Sequence, residues 1–185
     1  DDSEEELRAG LAALRNNGLI TGTQTLPSFR HALIRDAALQ SIPSAERRRI
    51  HQRLARVLRS QFAERISQHP ELLATHLHEA EAPETATCWL NAGQRAAGAS
   101  MQQQAAHFYR NGLAALRFLA DAGQSQEAEF HLRVGLGSAL LATQGYGNAE
   151  SRELLASALS LSKQLGSDIE VIRVLWGLWL GGRST

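Results

Sequence analysis

Gly93 and Ala105 stand twelve residues apart, and each has a large aromatic four positions away: Trp89 precedes Gly93 and Tyr109 follows Ala105. Four residues is just over one helical turn, so each small residue shares a helix face with its aromatic. The stretch from Ala96 to Ala105 suits the end of one helix, a short turn and the start of a second. This predicts two antiparallel helices that cross closely. Gly93 and Ala105 sit at the crossing, where a large side chain would force the helices apart, and Trp89 and Tyr109 fill the wider space beside it. A weaker copy follows 44 residues later, counted from Gly93 to Gly137. Gly137 takes the part of Gly93, Leu140 that of Ala96 and Ala149 that of Ala105, with Gly145-Tyr146-Gly147-Asn148 as the turn. A third first helix is expected from about Asp168, where Trp176-Gly177 matches Leu136-Gly137; its second helix would lie past Thr185.

The pattern Trp89-x2-Ala92-Gly93-x2-Ala96, then Ala105-x3-Tyr109, resembles the tetratricopeptide repeat. Residues 67–185 are therefore expected to be tetratricopeptide-like helical repeats cut within a longer superhelix. The start at Asp1 and the lone methionine, Met101, also suggest a piece of a larger protein. Solenoids of this kind bind peptides or helices along the concave face formed by their first helices, which makes Gln94, Arg95 and Arg133 the expected contacts to a protein partner or another domain.

The front of the chain reads differently. Leu7, Leu11 and Leu14 recur at helical spacing, and Asn16-Asn17-Gly18 supplies a stop with Gly18 in a left-handed conformation. Leu19-Ile20 and Leu26 to Phe29, separated by a polar stretch, have the size of a small β-hairpin. A helix resumes near His31, with Leu33, Ile34, Ala37 and Ala38 as its apolar set, and Pro43-Ser44 breaks it. One further helix should reach about Ile66, with Ile50, Leu54, Val57 and Phe62 turned to a core. Helix, hairpin, helix is the outline of a winged-helix unit over residues 1–66. The whole is expected to be mainly α, in keeping with four prolines, four valines and an Ala/Leu-rich text.

The zero net charge hides an asymmetry. Residues 28–62 carry eight arginines against Asp36 and Glu46, a balance of +6, whereas residues 63–185 carry nine basic and twelve acidic residues, a balance of −3. The shift and His69-Pro70 both point to a boundary in the sixties. A winged helix could also make this a segment of a DNA-binding transcriptional regulator, with the repeats binding a partner or effector. That alternative needs arginines on the groove-entering element, but the helix before the hairpin opens with Asp1, Asp2, Glu4, Glu5 and Glu6. Arg49, Arg53 and Arg56 instead form one stripe of a later helix, read as a solvated or domain-docking face. Nucleic-acid contact is accordingly not expected.

Little else carries chemistry. His76 and His78 are two apart and diverge on a helix, so they and Glu79 do not make a metal site of the i, i+4 kind. Cys88, the only cysteine, excludes an internal disulfide framework and reads as inert packing. Glu150 and Glu153 read as a solvated pair, and Gly135-x-Gly137 as close packing rather than a nucleotide loop. No GxxxxGK[ST], GxSxG or CxxC occurs, so catalysis by this chain is not expected. The longest apolar run, Val174 to Leu180, is far short of the roughly 20 residues that span a bilayer. Without an export signal in the sequence, a cytoplasmic location is the expectation.

The stretch Phe29-Arg30-His31-Ala32-Leu33-Ile34-Arg35-Asp36-Ala37-Ala38 resembles the FRHALIxDAAY-type segment of bacterial signal-transduction ATPases with numerous domains. Arg47-Arg48-Arg49-Ile50-His51-Gln52-Arg53-Leu54-Ala55 is similar to the RRxLHxRLA stretch that follows it there, and Glu71-Leu72-Leu73-Ala74-Thr75-His76-Leu77 to the start of their helical repeats. Ala139 to Tyr146 and Val174 to Trp179 resemble later landmarks. The resemblance implies a regulator's middle: a P-loop ATPase domain upstream that binds ATP or ADP, then a winged helix, then repeats. The output is a nucleotide cyclase, a kinase or a DNA-binding domain, with the cyclase-linked type the nearest. It further implies that His31, matching a helix-start histidine that touches nucleotide phosphates, senses nucleotide state in the intact protein, although Ala32 replaces the aspartate of that motif.

Overall fold

A computed structural model of the chain describes residues 2–23, 26–145 and 147–165. Within them the protein is mainly helical, with one small antiparallel sheet. The order is α1 (Asp2–Asn16), β1 (Ile20–Gly22), β2 (Pro27–Phe29), α2 (Ala32–Ser41), α3 (Ser44–Gln61), α4 (Ala63–Gln68) and α5 (Pro70–Glu79). It continues with α6 (Thr85–Gly98), α7 (Gln102–Ala115), a 3-10 turn (Leu116–Phe118), α8 (Ala122–Gln144) and α9 (Ala149–Leu165). The third helix pair expected from Asp168, with Trp176, lies outside the described residues.

The chain divides into two compact units, Asp1–Arg47 and Arg48–Thr185. In the first, α1 stops at Gly18 (φ 68°): the Leu19 N–H reaches back to the Leu14 carbonyl at 3.0 Å and the Gly18 N–H to that of Arg15 at 2.9 Å. The hairpin then pairs Ile20 with Phe29, Thr21 with Ser28 and Gly22 with Pro27. Ile20 is the one fully buried apolar side chain among the described residues of this unit. The apolar set expected for α2 does not form a core: Leu33 is 82% exposed, Ala37 is exposed, and Ile34 and Ala38 are half-buried. Within its unit α2 packs mainly on the three-residue β2, which is too short to cover an apolar helix face.

The second unit begins inside α3, earlier along the chain than the charge shift. The helix expected to run to Ile66 breaks at Phe62 (φ −128°, ψ 32°) into α3 and α4. The stripe Ile50, Leu54, Val57 and Phe62 is exposed rather than turned to a core. Ala55 packs instead against Leu73 and Leu77, with Leu58 and Ile66 at the edge of the same cluster. Ala55 prevails because its methyl allows a close approach that the larger stripe would not. Pro70 opens α5 at its first turn, where a missing N–H costs nothing.

The main core runs from α5 to α8 and is built largely from alanine: Ala74, Ala86, Ala92, Ala96, Ala105, Ala106, Ala115 and Ala139 are all at most 4% exposed. Small side chains bring these helices close, and Trp89, Phe108 and Tyr109 together with Leu132, Leu136 and Leu140 supply the apolar bulk. Phe130, Leu155 and Ala158 tie α8 to α9 in a second cluster. The buried hydroxyls of Thr85, Ser151 and Ser162 each donate to a backbone carbonyl three residues earlier, at 2.6, 3.1 and 2.9 Å, so none is left dry and unpaired.

Helices α5 and α6 end like α1, with a left-handed residue, but neither uses glycine. Glu81 (φ 52°) follows α5 and Ser100 (φ 63°) follows α6, and the Ala82 and Met101 N–H groups bond back to Leu77 and Ala96 at 3.0 and 2.9 Å. Ser100→Gly should therefore stabilise the protein by about 0.5 kcal/mol, the relief of left-handed strain exceeding the entropy lost by a freer unfolded chain. A denaturation midpoint equal to or below that of the wild type would contradict this. The same change at Glu81 would remove its carboxylate from Arg48, which lies 2.7 Å away.

Candidate interaction surface

The close-packing residues meet as a sandwich around one ring. A Cβ on Gly93 would lie 2.6 Å from Tyr109 Cδ1, and a Cβ on Gly135 would lie 2.7 Å from its Cε1. Tyr109, on α7, is thus clamped between glycines of α6 and α8 and is 3% exposed; burial pushes its phenol pKa up. This corrects the expected role of Gly93. Its missing side chain makes room for the Tyr109 ring itself, rather than for a backbone crossing with the ring beside it. Ala105 is fully buried, as its place in the pattern requires. Gly112, which the pattern does not mark, does for Leu132 what Gly93 does for Tyr109: a Cβ there would come 3.2 Å from Leu132 Cδ1. Its signal was its spacing, seven residues after Ala105 on the same helix face.

The second copy is shifted. A Cβ on Gly137 would lie 2.9 Å from Leu155 Cγ and 3.4 Å from the Ser151 carbonyl oxygen. Ser151, fully buried, takes the place of Ala105, and Leu155 that of Tyr109. Ala149, expected there, is exposed as the first residue of α9. The turn falls at 145–148 as expected, but α8 runs seven residues past Gly137 where α6 runs five past Gly93. Asn148 then caps α9 by accepting from the Ser151 N–H at 2.7 Å.

Trp89, 5% exposed, stacks on Phe108 with ring centroids 5.5 Å apart and donates its indole N–H to His78 Nδ1 at 3.3 Å. His78 therefore carries its ring hydrogen on the other nitrogen and packs edge-on against Phe118. Cys88 is half-buried between the main core and the cluster of Ala55, Leu73 and Leu77. Burial raises its thiol pKa against the opposing pull of Arg59, which keeps it a thiol.

Around these packed residues lies an open groove of about 600 Å³. Gln68, His69, Arg95, Gln104, Met101 and Phe108 are among its walls. Arg95 is exposed, and its Nε donates to the Gln68 carbonyl at 2.7 Å, which fixes the guanidinium and leaves its terminal nitrogens unused by that bond. His69 Nδ1 sits 3.1 Å from Glu71 Oε1. Met101, 49% exposed, and the edge of Phe108 give the groove apolar surface. A second groove, of about 530 Å³, shares Arg95 and adds Gln94, which is exposed. Of the three contacts expected from sequence, Gln94 and Arg95 adjoin on α6. Arg133 is elsewhere, half-buried on α8, paired with Glu129 and lining a hollow with Glu150 and Glu153. Glu150 of that pair accepts from Arg110 at 3.0 and 3.1 Å.

His31 is the exposed residue before α2, with an extended backbone (φ −135°, ψ 141°) and no side-chain cap bond. His31 belongs to the first unit and the residues lining the groove to the second. Among the described residues no helix is long and apolar enough to cross a membrane. Comparison with known proteins leaves the geometry to speak for itself: no family model, curated protein or solved structure matches this chain.

Proposed function

We propose that this chain is a protein-interaction segment of a multidomain signalling ATPase, transmitting nucleotide state to an output domain such as a cyclase. In this reading residues 1–66 act as a winged helix and the helices that follow as tetratricopeptide-like repeats. An upstream P-loop domain would hold ATP or ADP, and His31 would meet its phosphates. The chain itself carries no reaction and acts by contact.

The observation that supports the reading best is the groove beside α6. An arginine held by a backbone carbonyl, next to exposed Met101 and a phenylalanine edge, offers one fixed charge and an apolar floor. That combination suits a peptide segment bearing a carboxylate beside an apolar side chain. A random-peptide display library panned on the 185-residue chain should enrich such sequences. Arg95→Glu should lower their affinity about tenfold or more, the usual scale for reversing a charge that pairs with a ligand. Enrichment that survives both Arg95→Glu and Met101→Glu, or no enrichment at all, would overturn the groove as the contact surface.

A further inference from the structure

We infer that His51 and His76 form a proton-operated latch holding α3 against α5. Their Nδ1 atoms are 3.0 Å apart and their rings are tilted at 43°, with centroids 5.1 Å apart. An imidazole Nδ1 donates only when it bears hydrogen and accepts only when it does not, so this bond requires one ring in each form. The pair keeps its bond when both rings are neutral. It also keeps the bond with one added proton, because the donor ring can be protonated at both nitrogens. A second proton removes the acceptor and places two cations 3.0 Å apart.

The surroundings make this bond matter. The apolar contact between α3 and α5 is small, with Ala55, Leu73 and Leu77 at its centre. The charged groups nearby are largely committed. Arg48, one turn before His51, pairs with Glu81 at 2.7 Å. Arg59, two turns after His51, lies 3.5 Å from Glu84 at the start of α6. Both ion pairs are about half exposed and contribute little each. Glu79, one turn beyond His76, favours the charged imidazole, but burial and the facing His51 outweigh it and lower the His76 pKa. Neutral His76 is thus the form the fold prefers. The stabilisation is complete above the ordinary imidazole value of about 6.5 and is lost as the pH falls through the lower folded-state value. Acidification would then free α3 and uncover the Leu73 and Leu77 face.

Amide hydrogen exchange of the whole chain at pH 7.5 and 5.5, corrected for intrinsic rates, tests the latch. Peptides covering residues 48–61 should lose about threefold or more in protection at the lower pH relative to peptides from α7, because protons taken up by the pair favour the open state. In His76→Asn, which can keep a side-chain hydrogen bond but not take up a proton, that loss should shrink to under about twofold. The proposal is overturned if α3 and α7 respond alike in the wild type, or if His76→Asn keeps the wild-type loss. The NMR titration of His76 in the wild type needs no variant: a midpoint below the ordinary imidazole range supports the latch, and one at or above it overturns the latch.

Discussion

Gly93→Leu and Gly135→Leu should each destabilise the second unit by about 3 kcal/mol or more. The reason is geometric. The Tyr109 ring has a glycine on each side, so it cannot move away from a new side chain at one without meeting the other. Gly93→Ala and Gly135→Ala are milder, because alanine gains about 1 kcal/mol in helix propensity and partly offsets the overlap. Gly98→Ala is the matched control: a Cβ there meets nothing within 4 Å, so the change should be neutral or slightly stabilising. Combining Gly93→Leu with Tyr109→Ala should recover part of the loss, with a coupling of about 1 kcal/mol or more. Urea denaturation followed by circular dichroism reads all of these. If Gly93→Leu costs no more than Gly98→Ala, the clamp does not exist.

Trp89→Ala should cost about 3–5 kcal/mol, the range for removing a buried aromatic whose neighbours cannot collapse into the space. Trp89 stacks on Phe108 and its Cβ lies under Gly112, so the cavity would open between α6 and α7. Trp89→Phe retains the stack and loses the indole N–H to His78, and should cost roughly 1–2 kcal/mol. The ordering of the two variants is the decisive result. Equal losses would mean that the hydrogen bond, not the ring volume, carries the contribution of Trp89.

The two experiments probe one design. Alanine and glycine let three successive helices approach, and three aromatics with Leu132, Leu136 and Leu140 fill what remains. A core of this kind has few large side chains, so each aromatic carries an unusual share of the buried area. The groove beside Arg95 lies on the rim of this core. Phe108 belongs to both, through its stack on Trp89 and its edge in the groove.

By itself the sequence determined the helical class, the small hairpin, the stop at Gly18 and the importance of Trp89, Gly93, Ala105 and Tyr109. Those features are local or periodic: a helix face repeats every 3.6 residues, and a left-handed stop needs only its neighbours. Tertiary structure alone decided what those faces meet. Periodicity marked Ile50, Leu54 and Val57 as a core stripe, yet Ala55 is what packs on α5, because the distance between two helices is set by both surfaces together. The partner of Gly137 lies two residues later than the pattern predicted for a related reason: periodicity does not fix how far α8 runs on, and only Leu155 against Gly137 reveals the register. His51 and His76 are 25 residues apart and share no motif. Their meeting depends on the path of three helices, which no local pattern encodes. Gly93 and Tyr109 were each legible as packing residues, but that they touch, and that Gly135 joins them, is decided only by how α6, α7 and α8 pack.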